Sequence, residues 1–230
     1  MAVSGVSESL RPLILKGINH PNLYRIPIIG DGSCFFHAVL RSFYRDYIET
    51  TQTSVRQFYA QHLRYALSAV LEEYNPLTGV RYYDELSRGA LATLASEGLS
   101  SCSIRAMQKE LQQGGPVDNL YQELVSNHLN RDIYIVNEDY GDVDVGFNDL
   151  ELLYKGRNSI ILLYRSGHFE LLGIAASDSM TLETLFTPSH PLIQQLYQRM
   201  VYLINERTGE GAESGICFAE TVIPTQIQII

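Results

Sequence analysis

A cysteine at the point where a turn becomes a helix is the residue of this chain best placed for chemistry. Cys34 follows the turn-forming sequence Gly30-Asp31-Gly32 and precedes apolar residues at helical spacing: Phe36, Val39, Leu40 and Phe43. Near a helix N-terminus, the helix dipole and unpaired backbone N–H groups favour a thiolate over a thiol, and the same N–H groups can bind an oxyanion. The sequence thus predicts a nucleophilic cysteine; the alternative is a buried, inert thiol beside a turn.

A histidine and a glutamate in a predicted β-hairpin are candidates to activate that thiol. Residues 158–173 hold two apolar runs separated by a short break that contains Gly167, and His168 opens the second run. Because side chains alternate across a strand, His168 and Glu170 are predicted on one face and Phe169 on the other. A nucleophilic thiol needs a base, and the base needs a third group to orient it. His168 and Glu170 fit these two roles; the alternative is an exposed polar strand face.

Two blocks of this sequence resemble the ovarian-tumour (OTU) family of cysteine proteases, most of whose members are deubiquitinases. Residues 31–38, Asp-Gly-Ser-Cys-Phe-Phe-His-Ala, resemble the family's nucleophile motif, and residues 167–172, Gly-His-Phe-Glu-Leu-Leu, are similar to its histidine block. A weaker match covers residues 114–124 and 130–136, which are similar to the family's central helix and strand. The resemblance spans about residues 24 to 174.

The resemblance implies an α/β (α+β) papain-like fold with a small central β-sheet flanked by helices. It also implies a catalytic set in which Cys34 is the nucleophile, His168 the base, Glu170 its orienter, and Asp31 helps to form the oxyanion hole. The expected reaction is hydrolysis of isopeptide bonds at the C-terminal glycine of ubiquitin, with ubiquitin or polyubiquitin chains as partners. No metal and no organic cofactor are expected.

The sequence departs from the family's usual pattern at two places. The residue two positions after the histidine is usually aspartate or asparagine, whereas here it is Glu170, which is one methylene longer. The family usually has a tryptophan before the central glycines, whereas this chain contains no Trp and has Gln112-Gln113 there. Three alternatives remain open: a protease or acyltransferase for another ubiquitin-like modifier, a catalytically weak ubiquitin-binding module, and a structural protein in which these blocks are coincidental.

Length and composition fit one enzyme domain with extensions. The chain has 230 residues, 45% of them hydrophobic, which is enough for an ordinary core. We expect an N-terminal segment over 1–23, the catalytic domain over 24–174, and a C-terminal helical extension and tail over 175–230. No window approaches the roughly 18 consecutive apolar residues of a membrane span, and the N-terminus lacks the pattern of a secretory signal.

Cysteine usage and charge bear on compartment and partner. The chain has three widely spaced cysteines: Cys34, Cys102 and Cys217. An odd number at such spacing does not suggest a disulfide framework, so we expect a reducing, cytoplasmic compartment. The net charge of −9 argues against a nucleic-acid partner, because phosphate binding needs clustered Lys and Arg. An acidic surface would instead complement a neutral or basic protein partner.

Only three of the 17 basic residues are lysines. A bacterial effector or viral protein that acts amid host ubiquitin ligases would benefit from offering few ubiquitin acceptors. The hypothesis is therefore an effector in the host cell cytosol; the alternative is a general preference of the source genome for arginine.

The remaining sequence predicts mixed helices and strands. Helices are expected over 52–73, 82–96, 103–113, 117–129 and 191–205, with strands over 132–136 and 221–230. The acidic segment 137–149 is expected to be a solvated connection, not a calcium loop, because it lacks EF-hand spacing. In the first of the long helices the predicted apolar stripe is Val55, Phe58, Tyr59, His62, Leu63, Ala66, Ala69 and Val70.

Overall fold

The structure, a computed structural model, describes residues 22–81, 104–115, 120–145, 153–175 and 182–208, together with Leu13 and His20. Among these residues there are six helices: α1 (Cys34–Phe43), α2 (Arg45–Glu49), α3 (Thr53–Val70), α4 (Ile104–Gln113), α5 (Leu120–Leu129) and α6 (Pro191–Thr208). The same residues form six strands: β1 (Leu23–Ile26), β2 (Asp132–Asn137), β3 (Asp142–Val143), β4 (Ser159–Arg165), β5 (His168–Ala175) and β6 (Leu182–Glu183).

The strands form one mixed sheet in the order β1-β5-β4-β2-β3, with β6 also paired to β5. β2 and β4 are parallel, and the other pairs are antiparallel. Apolar residues fill both faces of the central strands, which explains the nearly continuous apolar run of β4 in the sequence. On β2, for example, Ile133 and Ile135 pack on one face while Tyr134 and Val136 pack on the other.

Each face of the sheet is covered by helices. The first face, which we call the nucleophile face, packs against α1, α3, α4 and α5 through Phe36, Leu67, Leu111 and Val125 among others. The second face, which we call the rear face, packs against Leu192, Leu196 and Met200 of α6. This confirms the predicted α+β class with a small central sheet flanked by helices. It also places α6 on the same sheet as the β-hairpin.

Most predicted elements within the described residues are confirmed, with ends shifted by a few residues. The helix predicted over 82–96 and the strand predicted over 221–230 lie outside those residues. The acidic segment differs from its prediction: Asp142 begins β3, is 7% exposed, and pairs with Arg199 of α6 through a 2.6 Å contact. Sequence patterns did not show that a basic residue more than 50 positions later would bury this carboxylate. No helix of the described part of the chain is both long and apolar enough to cross a membrane.

The predicted apolar stripe of α3 is wrong in part. Phe58 is 64% exposed and His62 is also exposed, whereas Arg64, which was not assigned to the stripe, is fully buried. The buried face of α3 is Ala60, Leu63, Arg64, Leu67 and Ser68. Its centre is therefore a charged residue, which counting apolar positions could not find.

Arg64 can be buried because backbone carbonyl groups accept hydrogen bonds from its guanidinium. Its guanidinium donates to the carbonyl oxygens of Glu110 and Leu111, in the last turn of α4, at 2.8 and 2.9 Å. It also donates to the carbonyl oxygen of Gly115 at 2.8 Å and to Ser33 Oγ at 3.3 Å. The last carbonyls of a helix lack intrahelical partners and carry partial negative charge, so a cation there is favourable. Burial lowers the pKa of Arg64, yet guanidinium stays protonated in proteins.

We expect Arg64→Leu to lower the free energy of unfolding by about 3 kcal/mol, because several buried carbonyl groups would lose their donor. Arg64→Lys should recover only part of this loss, since an ammonium lacks the planar set of five donors. Urea denaturation measures both. Arg105→Leu, at an exposed position of α4, is the matched control and should change stability by less than about 0.5 kcal/mol. Equal stability of Arg64→Leu and the native chain would contradict this role.

Candidate active site

Cys34 lies where the sequence places it, as the first residue of α1, and its side chain is buried with 6% exposure. The backbone N–H of Phe169 donates to Cys34 Sγ at 3.4 Å. Pairing between β1 and β5 ends at Leu171, so Phe169 belongs to a part of β5 that β1 does not cover. The sulfur thus sits against the peptide bond that joins His168 to Phe169. Nucleophile and candidate base, 134 positions apart in the sequence, meet at the start of β5.

The N-terminus of α1 offers backbone N–H groups around the sulfur. Within the described part of the chain, no side-chain hydrogen bond caps the helix at Ser33, the residue before it. The first N–H groups of a helix have no intrahelical acceptor, and together with the helix dipole they suit a negatively charged oxygen. The start of α1 therefore has the donors that an oxyanion hole requires.

Asp31 shapes the loop before the nucleophile. Its Oδ1 accepts a hydrogen bond from the Ser33 N–H at 3.0 Å, and its Oδ2 lies 3.1 Å from Nε2 of His37. His37 is fully buried, and its Nδ1 lies 2.8 Å from the Tyr47 hydroxyl. Since a carboxylate only accepts, Nε2 of His37 carries the proton and Nδ1 accepts from Tyr47. Asp31 thus sets the backbone of residues 31–33, and through it the approach to Cys34.

The ionisation states in this chain of contacts agree with that assignment. Burial raises the pKa of Asp31, but the hydrogen bonds from Ser33 and His37 outweigh it, and the net shift is downward. Burial lowers the pKa of His37 against the opposing effect of Asp31, so the imidazole is neutral at pH 7. Burial raises the pKa of Tyr47 to about 12, which keeps its hydroxyl protonated and able to donate.

Gly32 allows the loop of residues 31–33, which we call the nucleophile loop, to touch the turn after α4. Its φ of +85° is in the region that favours glycine, and a Cβ there would lie 3.0 Å from the Cα of Gly115. Gly115 in turn has a φ of +107°. The glycines of the weaker family match are therefore close neighbours of the loop that presents Cys34.

His168 begins β5 and is half-buried. A Cβ added at Gly30, in the segment between β1 and α1, would lie 3.7 Å from its Cε1 and 3.9 Å from its Nδ1. The imidazole therefore faces the segment that leads into the nucleophile loop. The hairpin with His168 as the first residue of its second strand is confirmed, with His168 opposite Arg165 of β4.

Glu170 lies on the same face of β5 as His168, as predicted, but its carboxylate has a different partner. Glu170 is opposite Leu163, whose side chain packs on the rear face. Nε of Arg25 donates to Oε2 of Glu170 at 2.7 Å, and another guanidinium nitrogen of Arg25 lies 2.6 Å from that oxygen. Within the described residues, no hydrogen bond joins Glu170 to His168. The third group of the predicted set is thus bound to Arg25 in this structure.

Three residues that contact the candidate site residues or their loop were not found from the sequence: Arg25, Tyr47 and Arg64. Arg64 carried only a positional signal, since it lies at helical spacing from Ala60, Leu67 and Ser68, but its charge argued against burial. Tyr47 and Arg25 carried none, because their partners depend on the three-dimensional course of the chain. The structure places the Cys34 sulfur against the peptide bond between His168 and Phe169. Asp31 lies in the loop before Cys34, and Glu170 pairs with Arg25 on the rear face.

No protein-family model matches the chain, and no curated protein matches it. Among solved structures it is similar to an ovarian tumour (OTU) domain in complex with ubiquitin, with 16% identity, a TM-score of 0.44, and coverage of 82% of this chain and 88% of that chain. It is similar to an OTU deubiquitinase from Wolbachia pipientis wMel, with 14% identity, a TM-score of 0.40, and coverage of 69% and 94%. It is also similar to the viral OTU domain protease from Farallon virus, with 16% identity, a TM-score of 0.36, and coverage of 72% and 99%. These three are OTU domains, the family that residues 31–38 and 167–172 resemble.

We expect the His37 contacts to make stability depend on pH. Because the folded pKa of His37 is lowered, its contribution is complete above the ordinary value of 6.5 and is lost as pH falls through the folded value. The difference in unfolding free energy between the native chain and His37→Gln should shrink from pH 7 to pH 5, by at most about 1.4 kcal/mol per pH unit. The lowered pKa of Asp31 acts only below its ordinary value of 3.8, outside this window. Urea denaturation at several pH values measures the difference, and His62→Gln, at an exposed position, is the control. A difference that does not change with pH would contradict the assignment.

Proposed function

We propose that this chain is a cysteine-type deubiquitinase that hydrolyses isopeptide bonds at the C-terminal glycine of ubiquitin. The observation that carries the proposal is the hydrogen bond from the Phe169 N–H to Cys34 Sγ, which brings a thiol at a helix N-terminus against the residue that follows a histidine. Ubiquitin as the substrate is supported by the resemblance of residues 31–38 and 167–172 to the OTU motifs.

The proposed reaction has two halves. His168 takes the thiol proton, and Cys34 Sγ attacks the glycine carbonyl carbon, forming a C–S bond while the carbonyl oxygen becomes an oxyanion. The N–H groups at the start of α1, set by Asp31, stabilise that oxygen. The C–N bond breaks and His168 protonates the leaving lysine amine. Water, losing a proton to His168, then attacks the thioester, releasing the ubiquitin carboxylate and the Cys34 thiol.

Two other functions compete with this one. A catalytically weak ubiquitin-binding module is favoured by one observation, which is that Glu170 bonds to Arg25 and not to His168. A protease or acyltransferase for another ubiquitin-like modifier would use the same thiol and imidazole. Probes built on ubiquitin and on other ubiquitin-like modifiers distinguish the three functions.

We expect the purified protein to form a covalent adduct of one ubiquitin with a ubiquitin probe that carries a thiol-reactive C-terminal group. Cys34→Ala should form none, and His168→Ala should abolish turnover of ubiquitin chains. Glu170→Ala should lower turnover more mildly, because water or a carbonyl group can partly replace an orienting residue. Intact-protein mass spectrometry and gel-based chain cleavage measure these outcomes.

His128→Ala, at an exposed position of α5, is the matched control and should retain full activity. An adduct that persists in Cys34→Ala would contradict the mechanism. Ubiquitin binding without turnover by the native chain would indicate the binding module. Adducts only with probes built on other modifiers would indicate the third function.

We further propose that the protein acts in the cytosol, as a pathogen effector or viral protein in a host cell. This is supported by the scarcity of lysine, with three among 17 basic residues. Cys34→Ala protein incubated in cell lysate should acquire less ubiquitin than the same protein with Arg45→Lys and Arg105→Lys, both at exposed positions. Quantitative immunoblotting measures the modification, and equal modification of the two proteins would contradict the proposal.

A further inference from the structure

Four charged residues on the rear face of the sheet form a network across four neighbouring strands. This four-strand network consists of Arg25 on β1, Glu170 on β5, Arg165 at the end of β4, and Glu138 directly after β2. Besides its contacts with Glu170, Arg25 donates to Oε1 of Glu138 at 2.8 Å. Nε of Arg165 lies 3.1 Å from Oε2 of the same glutamate. Two cations and two anions thus neutralise each other at the end of the strands where His168 begins β5.

The contacts of Arg25 leave one oxygen of Glu170 open. Both guanidinium contacts are to Oε2, while Oε1 receives no hydrogen bond from the described residues. The side chains of Arg25 and Glu170 are each only 15% exposed, so water screens the pair weakly. A free glutamate side chain samples several rotamers, and holding it in one costs conformational entropy. Arg25 supplies the contact that restricts Glu170 to one region.

We infer that Arg25 is a positioning residue for the active site. By holding Oε2, it keeps the Glu170 carboxylate on the His168 side of β5 with Oε1 free to accept the N–H of the imidazole. A glutamate is one methylene longer than aspartate and has one more rotatable bond, so it needs an anchor that the shorter residue does not.

The contacts of the neighbouring charges distinguish Arg25 from Arg165. Arg165, directly opposite His168, is 54% exposed and contacts Glu138, not Glu170. Arg25 alone among the described cations contacts Glu170, and it lies nine positions before Cys34 on the strand that leads to the nucleophile loop. Removing Arg25 should release Glu170, whereas removing Arg165 should not.

The test measures the protonated nitrogen of His168 by 15N NMR of the histidine side chains, with His168→Gln used to assign the signal. A carboxylate that accepts one ring N–H favours a single neutral tautomer. We expect one tautomer in the native chain and in the matched control Arg165→Gln, and a mixture in Arg25→Gln and Glu170→Gln. A structural role of Arg25 alone would change stability without changing the tautomer.

Because a role in the reaction rests on the proposed function, turnover is the second readout. Arg25→Gln should lower kcat for ubiquitin chains about tenfold with KM within about twofold, since an orienting contact acts on the chemical step. The double variant Arg25→Gln/Glu170→Gln should be no slower than Glu170→Gln, because the two residues act as a unit. If the native chain has no turnover, the proposed function fails, but the NMR measurement still tests Arg25.

Arg25→Lys guards against loss of folding in Arg25→Gln. It keeps the charge but lacks the paired N–H donors, so a partly mixed tautomer is expected. A native tautomer in whichever of these two variants is folded by urea denaturation would overturn the inference. Independent, additive losses of kcat in the double variant would also overturn it.

Discussion

A buried guanidinium holds together the two loops that frame the nucleophile. Arg64 contacts Ser33, directly before Cys34, and also the carbonyl groups at the end of α4 and at Gly115. Its Cζ also lies 4.7 Å from the centre of the Phe36 ring in α1. The close approach of Gly32 to Gly115 is possible only while both loops keep these positions. The geometry around the sulfur therefore depends on a charge that is not itself part of the chemistry.

The two faces of the sheet carry different parts of the candidate site. The nucleophile face carries α1, Cys34 and the contacts of Asp31, which orient backbone N–H groups. The rear face carries the four-strand network, which fixes the carboxylate of Glu170. His168 is the first residue of β5, where the strand is not paired with β1, and its side chain lies on the same face of β5 as Glu170. The fold thus places His168 and Cys34 beside each other from different elements, β5 and α1.

Local patterns in the sequence predicted the elements and the candidate residues, whereas distant contacts escaped them. Cys34 was placed at a helix start and His168 at a strand start because turn residues and periodicity act over a few positions. The partner of Glu170 was missed because Arg25 is 145 positions away and joins it only through the pairing of β1 with β5. For a related reason, the predicted buried stripe of α3 includes the exposed Phe58 and leaves out the buried Arg64. Aromatic residues count as apolar in a stripe, while the carbonyl groups that make Arg64 favourable belong to another helix.

The hydrogen bond between Phe169 and Cys34 couples the sulfur to the backbone of β5. The sulfur accepts a hydrogen bond from the Phe169 N–H at a position where β5 is not paired with β1. A thioester sulfur is a poorer acceptor than a thiol sulfur, so acylation of Cys34, as the proposed reaction requires, would weaken this contact. The first residues of β5, His168 among them, are therefore held in part by the side chain of Cys34.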